Sequence, residues 1–325
     1  MHIHRRTLNK LALTSLANAT ILRQVTAATW PEKNVKIIVP FPPSGAIDVV
    51  ARLVSTRLSE MWAQNVIIEN HPGAGGNIGN ELVARAEPNG NTLLFTQSGI
   101  VVNKFLYASI NYDSLTDLSA VSLLTLVPNV MMIPSTLQIK TLDEFLIYAK
   151  NKQITYGSAG NGTSSHLCGA LFGRKTGIQT IHVPYKGSAP ALIDLIAGRL
   201  DMMIDSVSGI VPYIQSGKLQ ALGVTSLKPL SVLPQIKPLS DSVLPGFDAN
   251  GLVAALAPAK TPVDIILKIQ KDISLVMNEK TIKTRLQTLG YEVVASTPSE
   301  LTQYIKNEMS RWGPVIKEGN IKIDG

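Results

Sequence analysis

From Lys36 onward, short aliphatic and β-branched runs alternate with longer amphipathic stretches, and this alternation narrows the possible folds more than any other feature. Residues 36–41 (Lys-Ile-Ile-Val-Pro-Phe) predict a buried strand, 47–61 a helix, 66–69 a strand, 76–86 a helix and 92–96 a third strand. Residues 121–126 and 129–133 read as two more strands on either side of Pro128. After Pro134 the alternation restarts, with helices at 141–150, 164–176 and 190–197 and strands at 154–156, 180–183, 202–204 and 219–224. A proline-rich connection covers 229–245, a strand follows at 252–256, and helices close the pattern at 262–277 and 298–316. Strand–helix–strand order implies an α/β fold of two Rossmann-like lobes, each on a parallel sheet with right-handed crossovers. The last helices need a sheet to cover, and the first group of strands has an uncovered face. If they return to it, the chain crosses between lobes twice, near 127–129 and 247–251. Residues 29–127 plus 251–325 then form lobe 1 and 128–250 lobe 2. Two such connections make a hinge. The cleft between the lobes, lined by loops at the carboxyl ends of strands, is where such folds hold small ligands.

The length of 325 residues agrees with two lobes, being about twice a typical domain of roughly 150 residues. The formal charge of +7 suggests a polyanion partner but misleads, because Arg5, Arg6, Lys10 and Arg23 lie in residues 1–28, which contain no acid. The rest of the chain carries only +3, too little for a nucleic-acid footprint of clustered Lys and Arg with interleaved aromatics. Basic residues from His4 to Lys10, an apolar stretch from Leu11 to Ile21 and small residues at Thr26-Ala27-Ala28 read as a secretory signal peptide over 1–28. The Arg5-Arg6 pair fits the twin-arginine export route as well as the general one. No later run reaches the roughly 18 apolar residues of a membrane span. The expectation is a mature chain that is soluble outside the cytoplasm. The single cysteine, Cys168, excludes an internal disulfide and reads as a small core residue.

Three loops carry the chemical information. The first, Phe41-Pro42-Pro43-Ser44-Gly45-Ala46-Ile47-Asp48, joins the first strand to its helix. Free N–H groups and partial positive charge at a helix start suit a carboxylate or phosphate without any Lys or Arg, although a plain strand-to-helix turn would look the same. The second, from Tyr156 through Ser158, Gly160, Asn161, Gly162, Thr163, Ser164 and Ser165 to His166, opens a helix in the other lobe with glycines and hydroxyls. The third is Val183-Pro184-Tyr185-Lys186-Gly187-Ser188, where Lys186 could attract an anion or simply face solvent. Enzyme signatures fail. In Gly73-Ala74-Gly75-Gly76-Asn77-Ile78-Gly79 the third glycine of a dinucleotide fingerprint is Ile78, and no Walker A, Gly-x-Ser-x-Gly or His-Glu-x-x-His pattern occurs. His166 and Cys168, two apart, point to different faces of a helix and make a poor nucleophile pair. The scattered histidines predict no metal centre, and nothing calls for a cofactor.

The run from Ile38 to Arg52 resembles the first-strand signature of the tripartite tricarboxylate transporter substrate-binding proteins, also called the Bug family. Glu69 to Gly79, Gly160 to Leu167, His182 to Gly187 and Ala257-Pro258-Ala259-Lys260-Thr261-Pro262 resemble further family motifs in the family's order. The resemblance implies a periplasmic binding protein of type II, a Venus flytrap with two interlobe crossovers. Such a protein closes as a monomer on a small carboxylate or amino acid and delivers it to a membrane permease of one large and one small subunit. Carried over by position, Phe41, Pro43, Ser44, Gly45 and Asp48 would form the first-lobe wall, with Ser98 and Gly99 beside it. Ser158, Asn161, Gly162, Thr163, Ser164 and His166 would form the second. Tyr185, Lys186 and Asp205 would close the far end. Asp48 could instead only stabilise its helix's first turn, and His166 could be a hydrogen-bonded helix residue.

Ser44, Ala46 and Ile47 depart from the family's run of small residues and hydroxyl before the Asp. The expected effects are a blocked left-handed conformation at 46 and a lost donor at 47. Leu252 and Val253 stand where relatives often carry an aromatic. The same clamp would also serve as a ligand-loaded partner of a membrane sensor. A hydrolase or transferase built on the hydroxyl-rich loop is the remaining alternative.

Overall fold

The protein is described here by a computed structural model covering residues 30–43, 45–242 and 244–323. The signal-peptide reading of 1–28 and the side chain of Ser44 lie outside the described residues. In chain order the elements are β1 (Val35–Val39), α1 (Ala46–Trp62), β2 (Val66–Asn70), α2 (Asn77–Ala84), β3 (Thr92–Thr96), α3 (Gly99–Leu106), β4 (Leu118–Val127) and β5 (Asn129–Pro134). Next come α4 (Leu142–Ala149), β6 (Ile154–Ser158), α5 (Ser164–Thr176), β7 (Thr180–Pro184), α6 (Ser188–Ile196), β8 (Met202–Ser206), α7 (Val211–Gln215) and β9 (Leu219–Val224). The chain ends with β10 (Gly251–Pro258), α8 (Val263–Asn278), α9 (Lys280–Thr288), β11 (Glu292–Val293) and α10 (Pro298–Glu318).

The strands form two sheets, ordered β11-β4-β10-β3-β1-β2 and β7-β6-β8-β5-β9. In the first, alternate strand residues serve opposite faces. Val35, Ile37, Val39, Leu93 and Phe95 pack with α1 and α8, while Ile38, Leu94, Ala254 and Leu256 pack on the side of α3 and α10. Helices on both faces explain why these strands read as uninterrupted apolar runs. Sheet membership changes at Pro128 and again between Val224 and Gly251.

Neither sheet is purely parallel, contrary to the sequence reading. β1, β2 and β3 are parallel, as are β6, β7 and β8, because helical crossovers join them. β10 runs antiparallel to both β3 and β4, and β5 antiparallel to β8 and β9. These exceptions enter their sheets through the interlobe connections, where no covering helix fixes direction, and an apolar run does not encode direction. The helices α3, α7 and α9 were also not anticipated from the sequence.

Candidate functional site

A cleft of about 220 Å³ lies between the lobes, lined from both. Four helices start at its wall. Ala46 opens α1 and Gly99 opens α3 in the first lobe, while Ser164 opens α5 and Ser188 opens α6 in the second. α1, α3 and α6 have no side-chain cap. Their first N–H groups cannot be satisfied within the helix, and each start carries partial positive charge. Only α5 is capped, by Thr163, whose hydroxyl accepts the His166 N–H at 3.4 Å. No Lys, Arg or His is among the described residues that line the cleft, so the attraction for an anion there comes from backbone and hydroxyls.

On the first-lobe side the wall is held from below. Asn103 Nδ2 donates to Gly75 O at 3.0 Å and to Asn77 Oδ1 at 2.7 Å, tying the loop before α2 to α3. A Cβ on Gly99 would sit 2.7 Å from Gly75 O, so glycine at 99 permits this approach. On the second-lobe side the β6–α5 loop is pinned by its own side chains. Ser158 Oγ lies 2.6 Å from His182 Nε2 and accepts the Gly160 N–H at 3.1 Å, and Ala159 N donates to Ser165 Oγ at 2.9 Å. The Gly162 N–H donates to His166 Nδ1 at 3.0 Å. Gly162 has φ +74°, and a Cβ there would fall 2.6 Å from Ile323 Cδ1, a residue of the segment after α10. That segment is tied to the first lobe by Ile323 N donating to Leu106 O at 3.0 Å. At the far end, burial raises the Asp205 carboxyl above the usual range, opposed by bonds from the Ser188 hydroxyl and the Ser206 N–H.

Of the sequence-predicted site residues, Phe41, Ser98, Gly99, Asn161, Gly162, Thr163, Ser164 and Asp205 line the cleft together. Gly45 is exposed at the head of α1, and Pro43 is exposed nearby; neither lines the cleft. Asp48 is buried, with its carboxylate on Arg52 at 2.8 and 3.0 Å and on Asn70 Nδ2 at 3.1 Å. Ser158 and His166 lie beneath the loop as its internal supports. Tyr185 and Lys186 do not close the far end. The Tyr185 hydroxyl donates to Asp194 at 2.6 Å, on the α6 side, and Lys186 is exposed. Ser188, two residues on, lines the cleft in their place because Gly187 starts α6 there.

Two of the expected departures have no effect of the kind foreseen. Ala46 is the first residue of a right-handed helix after an extended Gly45 (φ −75°), so no left-handed conformation is called for, and Ile47 is 2% exposed within the core. Leu252 does line the cleft. Sequence reasoning missed Gly75, Gln97, Asn103, Ser165, Ser206 and Ile323. The restart of helical pattern after Gly187 could have found Ser188; nothing local points to Ile323.

Residues 50–321 match the tripartite tricarboxylate transporter family receptor, TctC. A protein described as UPF0065, from the tcbD–tcbE intergenic region of Pseudomonas sp. strain P51, is 35% identical over 317 residues, covering 97% of this chain and 94% of the relative. BugT of Bordetella pertussis is 32% identical over 312 residues, covering 95% and 96%. Among solved structures, the periplasmic binding protein BugD matches with a TM-score of 0.77 at 31% identity, over 90% of this chain and all of that one, 100%. An R. palustris protein with adipate matches at 0.80 and 30% identity, covering 90% and 100%. MatC from Rhodopseudomonas palustris, with bound malate, matches at 0.76 and 30%, covering 88% and 100%.

Proposed function

This chain belongs to the tripartite tricarboxylate transporter receptor family, a family of solute-binding proteins, and we propose that it is a periplasmic one that closes on a small carboxylate-bearing ligand, an organic acid or amino acid. It delivers that ligand to a membrane permease of one large and one small subunit. Residues 1–28 are the export signal, lobe 1 is 29–127 plus 251–325, and lobe 2 is 128–250. Among the described residues no helix is long and apolar enough to cross a membrane.

One observation carries the reading: the starts of four helices, two from each lobe, meet at one cleft, and no basic side chain is among the described residues that line it. Each helix start contributes about 0.3–1 kcal/mol toward an anion, and each charge-assisted hydrogen bond roughly 1.5–3 kcal/mol. After desolvation and closure, about −7 to −10 kcal/mol remains, a micromolar or tighter complex. Adipate and malate in two structural relatives fit the same chemistry. Both walls are in place only when the lobes are closed. A carboxylate therefore shifts the open-to-closed balance by its differential affinity, and a permease that recognises the closed shape senses occupancy.

Titration calorimetry against a panel of mono-, di- and tricarboxylates and amino acids tests this, with Gly45→Asp and Ser164→Asp beside the parent. A Cβ at Gly45 meets only Pro42 O at 3.8 Å, and acidic residues suit helix starts, so both variants keep their melting temperatures. Ser164→Asp places a negative charge on the cleft lining and abolishes binding, and Gly45→Asp places one at the head of α1, beside the lining residue Ala46, and weakens it. Unchanged affinity in both variants overturns this placement of the site.

A further inference from the structure

We propose that His166 and His182 are positioning residues of this ligand site: as a neutral stacked pair they hold loop 158–163 in the shape that walls the cleft, and protonation of the pair releases it. The inference rests on the carboxylate-binding reading for its consequence, though not for its geometry. The two imidazoles stack 3.7 Å apart with an interplanar angle of 6°. His166 Nδ1 accepts the Gly162 N–H at 3.0 Å, which requires a lone pair on that nitrogen. His182 Nε2 meets Ser158 Oγ at 2.6 Å, and the same oxygen accepts the Gly160 N–H at 3.1 Å. Each ring thus holds one end of the loop whose Asn161, Gly162 and Thr163 face the cleft.

A proton on His166 Nδ1 turns the Gly162 contact into donor against donor. A second proton places two cations face to face.

The surroundings offer no compensation for that charge. Tyr156 of β6 packs beside both rings, at 5.0 Å from His182 and 6.4 Å from His166, and its hydroxyl donates to His166 O. Cys168, on the same helix as His166, is buried and donates to Ala249 O. Asp205 on β8 is bonded to Ser188 and Ser206. From α10, Glu308 and Glu318 pair with Arg311 and Arg174. Burial accordingly pushes His166 down to about 3, with His182 adding repulsion, and pushes His182 down to about 4.

The test uses the whole mature protein. Protection of the Gly160 and Gly162 amides is measured by hydrogen exchange NMR at pH 7 and about pH 4.5, together with adipate and malate affinities at both. Three proteins are compared: the parent, His166→Leu, which deletes the acceptor, and the double variant His166→Asn with His182→Gln, which keeps side-chain acceptors but cannot titrate there. The parent should lose about tenfold in protection and affinity on acidification beyond the change in the double variant. His166→Leu should lack Gly162 protection already at pH 7, and the Asn-containing variant should restore it. Equal acid responses in the parent and the double variant overturn the proposal, as does full Gly162 protection in His166→Leu. If neither adipate nor malate binds any protein at pH 7, the carboxylate reading loses its support for these acids, while amide protection still decides the role of the histidines.

Discussion

Asp205 is the only carboxylate among the described residues that line the cleft, and its burial raises its proton affinity. The folded protein binds the proton more tightly than the unfolded chain, whose Asp titrates near 3.9. Ionised Asp205 therefore costs stability above its folded pKa, and that cost fades as pH falls and is gone below the unfolded value. Asp205→Asn should raise the melting temperature of the unliganded protein by about 2–4 °C at pH 7, with the gain vanishing near pH 3.5. A variant that melts lower than the parent at every pH would show that the bonds from Ser188 and Ser206 outweigh the burial cost. At this scale the sequence was partly legible. Glycines and hydroxyls at 158–166 announce a loop that opens a helix, and that loop is a cleft wall. Tyr185 and Lys186, placed at the far end by the resemblance, do not line the cleft, because just after β7 the Tyr185 hydroxyl turns to Asp194 and Lys186 faces solvent.

The helix α1, whose head faces the cleft, also supports the site through side chains that do not line it. Its first turn buries Ile47 in the core and holds Asp48 between Arg52 and Asn70, which joins α1 to the end of β2; the Asn70 amide also donates to Phe41 O at 2.9 Å. Asp48 thereby fixes the loop that carries Phe41 into the cleft. Replacing Asp48 by Ala should destabilise the protein by about 1–3 kcal/mol in chemical denaturation, since the half-buried Asn70 amide and the Arg52 guanidinium each lose a partner. Carboxylate affinity should change by less than about threefold, within the scale of one weak hydrogen bond. A loss of binding with unchanged stability would instead make Asp48 a ligand contact. Elements with strong periodicity, such as α1, α5, α8 and α10, were legible to within a residue or two. The helix α3 was not, because Gly99-Ile-Val-Val-Asn-Lys-Phe-Leu mixes β-branched residues with burial on several sides and carries neither period clearly. Strand direction was illegible for β10 and β5, whose runs are buried throughout.

For the whole molecule, the two interlobe connections run side by side and are stitched together. Asn129 and Thr225 exchange main-chain and side-chain bonds, with Asn129 N to Thr225 Oγ1 and Thr225 N to Asn129 O both at 2.9 Å. The Thr225 hydroxyl donates to Asn250 Oδ1 at 3.0 Å, and Asn129 Nδ2 donates to Ala249 O at 2.9 Å. Immediately beyond, Gly251 pairs with Val127 in the antiparallel ladder, and both line the cleft. Motion between the lobes must therefore pivot where the cleft floor lies, so that a small rotation there separates the four helix starts. That two crossings exist was legible from the need of the C-terminal helices for a sheet; that one threonine couples them was not, since residues 129, 225 and 250 meet only in three dimensions. Thr225→Val keeps the shape and removes the hydroxyl, leaving the buried Asn129 N–H unpaired, at a cost of about 1–3 kcal/mol. With the stitch cut on one side, the unliganded protein should sample wider openings. Small-angle scattering should then give Thr225→Val a larger radius of gyration than the parent without ligand, and the same radius at carboxylate saturation. Equal radii in the unliganded proteins would mean that the stitch stabilises the fold without governing how far the lobes part.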